Sequence, residues 1–465
     1  MSRAPRLFLC CGLLLTLTGC AAYRPQPLHP VASVAAFRRR SLDDPGLRAF
    51  VARQMTLKPA QWPPARFDLP ALTLAAFYFN PDLAQARAAA ASAAAAIITA
   101  GEHPNPTVSL APEYSEPLAQ APSPWTMGLS FDFPIETAHK RSDRIAQAQA
   151  LTQAARLEVA QTAWQVRSRL RRALMEHLVA RRERALWRRE LAARAGLVQM
   201  LEHQLMAGQI SVVEVDNARI ALNQAQLALA AAQGQVLQTR ATLAAAIGLP
   251  VSALKGLALD RGELDHLPAP QTILRGRLQQ AGLLNRLDVR ASLARYAAAE
   301  AALQLEVAKQ YPDLDLGPGY QWDQGIDHYI LGLTLEVPLL NQNQGPIAQA
   351  RARRHQAAVA FRALQARVIG QLEEARASYL AAAVQLAQAD RLLAIQEAAQ
   401  RTIAHRLAAG QDDRLALLGA QVQTAVAARA RLDALAQTQA ALGALEDAVE
   451  RPLAATPTKP LEVRP

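Results

Sequence analysis

Two stretches of ten residues, WTMGLSFDFP at 125–134 and YILGLTLEVP at 329–338, decide how this chain folds. In both, large apolar side chains occupy every second position, and the positions between them are mostly polar or small. This period of two predicts β-strands over 125–133 and 329–337, and about nine residues is the length of a tilted strand that crosses a membrane. An apolar outer face with a polar inner face is typical of a barrel wall in lipid. A pair of soluble hairpins with one wet face is the alternative.

Each of these strands is predicted to pair with a shorter alternating segment that precedes it, 107–114 in one case and 313–322 in the other. Pro112 and Pro318 recur at matching positions, where they are expected to mark a bulge or a strand end. Four strands cannot close a barrel, because the smallest bacterial barrels have about eight. Since an open sheet edge is not viable in lipid, the chain must oligomerise if these strands lie in a membrane.

The chain is a duplication. GLSFDFP at 128–134 recurs as GLTLEVP at 332–338, an offset of 204 residues. Upstream, the two prolines named above differ by 206, and downstream Ala207-Gly208-Gln209 recurs as Ala409-Gly410-Gln411 at an offset of 202. Such a long repeat indicates two copies of a domain half rather than a solenoid.

Both halves predict the same succession of helices around the strand pair. The predicted helical stretches are 71–101, 139–206 and 212–248 in the first half, and 272–310, 345–408 and 413–450 in the second. The middle stretch of each half would span roughly 100 Å at about 1.5 Å per residue. That length far exceeds a bilayer core of about 30 Å, so these helices belong in the periplasm. The two shorter stretches of each half, stacked end to end, would match the long one and form a conduit wall.

The N-terminus reads as a targeting signal. Residues 1–20 are MSRAPRLFLCCGLLLTLTGC, with two arginines before an apolar region that is short for a transmembrane helix. The last four residues resemble a bacterial lipobox, which predicts cleavage after residue 19 and lipidation of Cys20. Ala21, rather than Asp, follows the cysteine, and the resemblance to Gram-negative lipoproteins implies that this residue favours delivery to the outer membrane. The predicted segments are a signal peptide (1–19), a lipid-anchored extension (20–70), a first repeat (71–250), a linker (251–270), a second repeat (271–452) and a tail (453–465).

Composition and motifs exclude several classes of protein. The chain has 465 residues and a net charge of +11, and its three cysteines are too few for a disulfide scaffold. It contains no zinc-protease pair, phosphate loop or nucleophile elbow, so no enzymatic activity, cofactor or metal site is predicted. The nine histidines are interpreted as surface residues. Ten arginines between 167 and 194 are interpreted as a solvated helix face rather than a nucleic-acid site.

Several short motifs, in this order and spacing, resemble the TolC-like outer-membrane efflux proteins. They are Asn80-Pro81-Asp82, Pro104-Asn105-Pro106, Phe133-Pro134-Ile135-Glu136, Lys140-Arg141 and the run VPLLNQNQG at 337–345. The resemblance covers roughly 70–450. It implies a mainly α fold with a transmembrane β-barrel, a homotrimer with twelve strands and a long α-barrel. It also implies a periplasmic adaptor (membrane fusion) protein and an RND-type inner-membrane transporter as partners, and contact with outer-membrane lipid.

Residues 100–106 and 135–148 look most like the branch of the family that serves heavy-metal cation exporters. The sequence departs from that branch at His139, where Gly is expected before Lys-Arg. The cargo itself stays open between metal cations, drugs and peptides.

The resemblance assigns roles to the two Gly turns that join the long helices to the returning ones. The predicted adaptor-contacting tips are Ala207, Gly208, Gln209, Ala409, Gly410 and Gln411. The carboxylates predicted near the periplasmic aperture are Glu214, Asp216, Asp412 and Asp413. Locally, Ser211 to Glu214 predicts a capping box and Asp413 an N-cap.

Asp132 and Glu336 occupy equivalent positions on the polar faces of the two long strands. In a trimer they would provide six carboxylates around the lumen, where charges tune ion selectivity. The alternative is that they solvate the strand ends near the lipid headgroups.

These observations predict a passive outer-membrane channel of a tripartite efflux system. The alternatives are a periplasmic adaptor lipoprotein, which usually has one helical hairpin, and the exit duct of a type I protein or peptide secretion system.

Overall fold

A computed structural model describes residues 23–54, 62–116, 123–260, 262–273 and 275–453. The predicted signal peptide, Cys20 and almost all of the predicted tail lie outside these residues. The helices are α1 (Pro30–Arg38), α2 (Pro45–Gln54), α3 (Leu69–Phe79), α4 (Pro81–Ala100), α5 (Lys140–Met206), α6 (Val212–Ile247), α7 (Arg275–Asn285), α8 (Leu287–Ala308), α9 (Gln344–Ala408) and α10 (Arg414–Val449). The strands are β1 (Thr107–Tyr114), β2 (Trp125–Ile135), β3 (Leu314–Asp323) and β4 (Ile326–Leu335).

The Ala-rich stretches predicted as single helices over 71–101 and 272–310 are each broken into two. Asn80 has extended dihedrals (φ −69°, ψ 125°), because the proline that follows disfavours helical geometry. Its side chain then caps α4 by accepting a hydrogen bond from the Asp82 N–H at 3.0 Å. Arg286, at the equivalent position of the second half, is likewise extended (φ −58°, ψ 131°) and separates α7 from α8.

The four strands form one antiparallel sheet in the order β1-β2-β3-β4, so the two halves join at the β2–β3 pair. Cross-strand pairs such as Val108–Phe131, Leu129–Tyr320 and Leu316–Leu333 place the large apolar residues on one exposed face. The predicted alternation is therefore confirmed. The outer edges of β1 and β4 pair with no other described strand.

Pro318 neither ends β3 nor bulges it, contrary to the sequence prediction. The β2–β3 ladder is interrupted between Ser130–Gly319 and Phe133–Leu316, and both sides keep the same register. Proline has no N–H to donate, which accounts for a gap in pairing opposite this residue. Pro112 also lies within a ladder, opposite Met127.

The helices form one layer with the two long helices as its continuous members. In the part that carries the Gly turns, the lateral order is α6-α5-α10-α9, and in the part next to the sheet it is α4-α5-α8-α9. The expected end-to-end stacking of the shorter helices is thus present in both halves. The rows end with α4 and α6 on one side and with α9 on the other, and no further described helix continues either row beyond them.

The two stacking points, junction one and junction two, are held by arginines of different origin. At junction one, where α6 ends against α4, Arg40 from the N-terminal extension donates to the carbonyls of Phe79 (3.1 Å) and Gly248 (3.0 Å). At junction two, where α10 ends against α8, Arg286 donates to the Ala448 carbonyl at 3.0 Å. The Leu287 N–H also donates to the Glu450 carboxylate at 2.6 Å.

The largest hydrophobic core lies beside junction one. Leu72, Leu170, Leu174 and Ile247 are fully buried there, together with leucines of the segment 249–264. That segment was predicted as a linker, and its Phe67–Leu259 bridge and its 3-10 turns fix it to the helices. A second core forms around Val368, Leu372 and Leu442 beside junction two.

Among the described helices, α4 alone is long and apolar enough to cross a membrane by length and composition. Its mean hydropathy is 1.3, and it lies along α5 with most of its surface exposed.

Candidate pore wall, hairpin tips and strand corners

The polar face of the sheet carries Asp132. Asp132 of β2 lies opposite Thr107 of β1 and is half-buried, whereas its neighbours Phe131 and Phe133 are exposed on the other face of the sheet. This is the predicted face for a lumen carboxylate. Glu336 is exposed and lies one residue beyond the end of β4. The prediction that β4 continues through Glu336 to Val337 is therefore wrong for the single chain, because the ladder with β3 ends at Leu314–Leu335.

The two hairpin tips have the same backbone geometry. Gly208 and Gly410 adopt left-handed conformations, with φ of 70° and 72°. In each tip the Gly N–H donates a hydrogen bond to the carbonyl three residues earlier. The distance is 2.9 Å from Gly208 to Leu205 and 3.0 Å from Gly410 to Leu407. The Gln after each Gly donates five residues back at 2.9 Å. This is the Schellman termination, and it leaves the residues of both tips exposed.

The helices that leave the tips begin differently. The Asp413 carboxylate caps α10 by accepting from the Ala416 N–H at 2.7 Å, as predicted. Ser211 is the N-cap of α6, but its side chain makes no capping hydrogen bond. The capping box predicted for Ser211 to Glu214 is therefore wrong. Only the backbone bond from the Glu214 N–H to the Ser211 carbonyl, 3.2 Å long, is present.

Two of the four predicted aperture carboxylates lie beside arginines that the sequence did not single out. Asp412 lies 3.5 Å from Arg406, and Asp216 lies 3.6 Å from Arg219. Arg219 also pairs with Glu202 at 2.7 Å. Each tip therefore carries ion pairs within its own hairpin, and Glu214 is exposed on the first turn of α6.

His177 is buried, which corrects its interpretation as a surface residue. It is 5% exposed in the α5–α6 interface, and its Nδ1 lies 3.0 Å from the Thr239 hydroxyl. Burial, reinforced by Arg181, Arg240 and Arg184, lowers the pKa of His177 to about 4. The apolar residues Ala173, Leu174 and Leu178 at helical spacing around it were the available signal.

The arginine run between 167 and 194 is only partly a solvated face. Arg171 is buried, donates to Gln439 at 2.7 Å and lies 3.4 Å from Glu446 of α10. Arg182 pairs with Asp265, and Arg194 lies 2.7 Å from Glu190. The contacts of Arg171 and Arg182 fix α5 to α10 and to the linker through residues that are distant in sequence, whereas the Arg194–Glu190 pair lies within α5.

The segments that lead from the sheet into the long helices are named corner one (133–144) and corner two (337–348). In corner one, Asp313 accepts from the Thr137 N–H at 2.8 Å and from the Lys140 ammonium at 2.7 Å. Burial alone would raise the pKa of Asp313, but these hydrogen bonds outweigh it and hold the pKa below its ordinary value. Hydrogen bonds from Arg144 likewise lower the pKa of Glu136.

Corner two has few such contacts. Val337 is 60%, Leu339 79% and Leu340 95% exposed. The Asn343 side chain donates to the Glu306 carbonyl at 2.7 Å. His139 and Asn343 are equivalent N-caps with left-handed φ of 63° and 60°, which explains why glycine suits the position that His139 occupies.

Within the described part of the chain, no group of three His, Cys, Asp or Glu side chains is placed to hold a metal ion. The distinctive features are thus an apolar sheet face, two equivalent tips, and unpaired edges at both sides of the sheet and of the helical layer.

Residues 76–249 match the family model of outer membrane efflux proteins. The chain is also 30% identical over 232 residues to the cobalt-zinc-cadmium resistance protein CzcC of Cupriavidus metallidurans. That alignment covers 48% of this chain and 53% of the relative, so the chain spans about half the length of the curated relative it matches.

Solved structures share the fold of this chain. The outer membrane protein VceC of Vibrio cholerae superposes with a TM-score of 0.64 at 19% identity, over 82% of this chain and 95% of VceC. A membrane protein of Pseudomonas aeruginosa superposes with a TM-score of 0.66 at 19% identity, over 92% of this chain and 99% of that protein. The Campylobacter jejuni CmeC outer membrane channel superposes with a TM-score of 0.65 at 15% identity, over 82% of this chain and 85% of CmeC. The TolC-like fold predicted from the motifs is confirmed, and the predicted resemblance to outer membrane efflux proteins is matched over residues 76–249.

Proposed function

We propose that this protein is the outer-membrane channel of a tripartite efflux system and gives substrates passive passage from the periplasm to the exterior. The observation that carries the proposal is a sheet with one exposed apolar face joined directly to helices of 67 and 65 residues. The sheet suits lipid, and the helices, roughly 100 Å long, suit a conduit across the periplasm. The duct has no catalytic role in this proposal.

A homotrimer would resolve the unpaired edges. Three copies of four strands give a twelve-stranded barrel, above the roughly eight strands that closure requires. The same three copies would bring the α4 and α6 side of one helical layer against the α9 side of the next. An adaptor with one hairpin is a poorer explanation of a chain that has two equivalent hairpins and a four-stranded sheet.

The exposed tips are the proposed contact for a periplasmic adaptor protein, which would link the duct to an RND-type transporter in the inner membrane. The first tip presents the apolar side chains of Met206, Val212 and Val213, and the second presents Asp412 and Asp413. The apolar side chains of the first tip suit an adaptor with apolar contact residues, while Asp412 of the second tip is already paired with Arg406. The name of the relative CzcC supports divalent metal cations as the cargo.

The proposed lipid anchor at Cys20 is compatible with the length of the chain. From Arg40 at junction one, α1 spans about 13 Å, and a further ten residues can reach at most about 33 Å. The sum exceeds the roughly 30 Å of α4 that separates this junction from the sheet. Replacing Cys20 by Ser should abolish incorporation of labelled fatty acid, and label that persists would contradict the anchor.

Single-channel recording in planar bilayers tests the proposed duct. The purified protein should form ion-conducting pores, and the double variant Asp132→Asn, Glu336→Gln should show a reduced cation preference at unchanged trimer yield. Ser130→Ala, on the same face of β2, is the matched control and should leave selectivity unchanged. A protein that inserts without conducting would overturn the channel. Unaltered ion selectivity in the double variant would show that these two carboxylates do not line the lumen.

A further inference from the structure

We propose that a basic face on the helical layer, formed by Arg184, Arg188 and Arg240, binds the carboxylate-bearing peptides of the cell wall through which the duct passes. The inference rests on the proposed position of the long helices in the periplasm. It adds a polyanionic partner along the shaft of the duct, away from both of its ends.

The basic face lies where α6 packs on α5. Arg184 and Arg188 follow the buried His177 at seven and eleven residues, so they share its side of the helix. Arg240 follows Thr239, whose hydroxyl lies 3.0 Å from the His177 Nδ1. The positive charges of Arg184 and Arg240 both help to lower the pKa of His177. The arginines of the two helices therefore converge on one place.

Within the described part of the chain, no carboxylate forms an ion pair with any of these three arginines. The Nε atoms of Arg184 and Arg240 are buried and make no hydrogen bond, and α6 contains no Asp or Glu from residue 217 to its end. Glu183 and Glu190, the acids of α5 that flank the basic face in sequence, lie instead near an arginine of α10. The positive charge of this face is consequently not neutralised by its own helices.

The second half shows that helix packing does not require arginines here. At the offset of 202, Leu386 and Leu442 occupy the positions of Arg184 and Arg240. Both leucines are buried in cores that leucines of the linker join. Where the linker covers this surface the residues are apolar, and where the surface is open they are charged. In the first half, Arg188 is exposed.

The linker also indicates on which side of the layer the basic face lies. It pairs with α5 at Arg182, through Asp265, and with the counterpart of His177, because the Tyr379 hydroxyl donates to the Pro268 carbonyl at 2.6 Å. In the proposed duct this side is the exterior, since a segment that crossed the other side would fill the lumen.

The position along α5 separates the possible partners. Arg184 lies 44 residues after Lys140, where the helix leaves the sheet, and 22 residues before its end at Met206. At about 1.5 Å per residue, these distances are roughly 66 Å and 33 Å. Lipid headgroups beside the sheet and an adaptor at the tips are both too far away.

A second copy of the chain brings no free acid to this level. The equivalent stretch of α9, residues 375–389, contains no Asp or Glu. Asp390, which follows it, is already paired with Arg431 of its own chain. The partner that remains is an acidic polymer of the periplasm, and peptides of the cell wall carry free carboxylates. Guanidinium groups bind carboxylates through paired, charge-assisted hydrogen bonds, and three copies of the face would combine weak contacts.

Co-sedimentation of the detergent-solubilised, full-length protein with purified, protein-free sacculi tests the inference. The unmodified protein should pellet with the sacculi at low salt and be released at about 0.5 M NaCl, which screens exposed charges. The triple variant Arg184→Gln, Arg188→Gln, Arg240→Gln should bind at least about tenfold more weakly. Amidation of the sacculus carboxylates should abolish binding of the unmodified protein, a result that does not depend on how the variant folds.

The matched control is Arg351→Gln, Arg362→Gln, Arg367→Gln, which removes three exposed arginines spread along α9 and should bind sacculi like the unmodified protein. Equal binding by both triple variants, or binding that survives amidation, would overturn the inference. Binding to anionic-lipid vesicles instead of sacculi, lost in the first triple variant, would assign the face to lipid and also overturn it. Pores without sacculus binding would leave the proposed channel standing, whereas an unmodified protein that forms no pores would overturn the proposed function itself.

Discussion

Corner one and corner two are copies of one segment, yet the chain stabilises them very differently. Their N-caps share a left-handed conformation. Corner one is held by Asp313 and β3 of the second half, whereas corner two exposes Val337 and Leu339. The first half thus meets its partner within the chain, and the open edge of the second half has none among the described residues. In the proposed trimer, another copy would cover this surface.

The junctions show the same divergence, and Gly248→Ala should have the largest effect on stability. Gly248 has a φ of +89°, and an added Cβ would lie 2.7 Å from the Phe79 carbonyl oxygen. Strain and steric overlap should lower the free energy of unfolding by about 3 kcal/mol. Gly208→Ala, with a φ of +70° but open space around it, should cost only about 1–2 kcal/mol. Equal losses in urea unfolding would contradict the close contact at junction one.

Junction two has Glu450 at a left-handed position, with a φ of +49°. Glu450→Gly relieves the backbone but removes the hydrogen bond from Leu287. The two effects oppose each other, so the net change should stay within about 1 kcal/mol.

Acid should destabilise the first hairpin through His177. Its pKa is about 4 in the fold and about 6.5 when unfolded, so the unfolded chain binds the proton first. The free energy of unfolding should therefore be at its maximum above about pH 6.5, where His177 is neutral in both states. It should fall by roughly 2–3 kcal/mol as the pH drops to about 4, and change no further through this group below that pH.

His177→Gln isolates this contribution, because it keeps a donor for Thr239 and removes the titration. The equivalent residue of the second half at offset 202 is Tyr379, also buried, whose hydroxyl donates to the Pro268 carbonyl at 2.6 Å. Thermal unfolding from pH 7 to 4 should diverge between wild type and His177→Gln. Parallel curves would show that His177 is not buried as described.

The ion pair in corner one should give a smaller effect. Asp313→Ala leaves the Lys140 side chain, 8% exposed, without its partner, which should cost about 1–2 kcal/mol after allowing for the exposed Asp313 side. Because the pKa of Asp313 is lowered, its contribution is present above about pH 4 and is lost as the pH falls through the folded value. Thr107→Ala, the matched change at offset 206, should be nearly neutral in the monomer. Similar losses in chemical unfolding would show that the two corners do not differ.

The tips should show the smallest difference. Asp413→Ala removes a capping hydrogen bond and should cost about 1 kcal/mol, whereas Ser211→Ala removes a side chain that caps nothing. Hydrogen exchange in the first turns of α6 and α10 can compare them. Faster hydrogen exchange in the first turn of α6 after Ser211→Ala would show that the Ser211 side chain does cap this helix.

Local patterns were sufficient for most of the fold. The period of two located the strands, and the Gly turns fixed both hairpins to within a residue or two. Features that depend on distant contacts were missed. The strand β4 ends before Glu336 because its partner β3 begins at Leu314, opposite Leu335. His177 is buried because α6 returns beside it. Asp313 and Lys140 are 173 residues apart, so no sequence window could join them. The serine at the first tip was misjudged because the motif specifies a possible cap but does not require one.

The mass of the detergent-solubilised, full-length protein tests the central claim most directly. Native mass spectrometry should give three chains, because the outer edges of β1 and β4 pair with no other described strand and, in the proposed barrel, they pair between copies. A stable monomer, with both edges still exposed to solvent or detergent, would contradict the account.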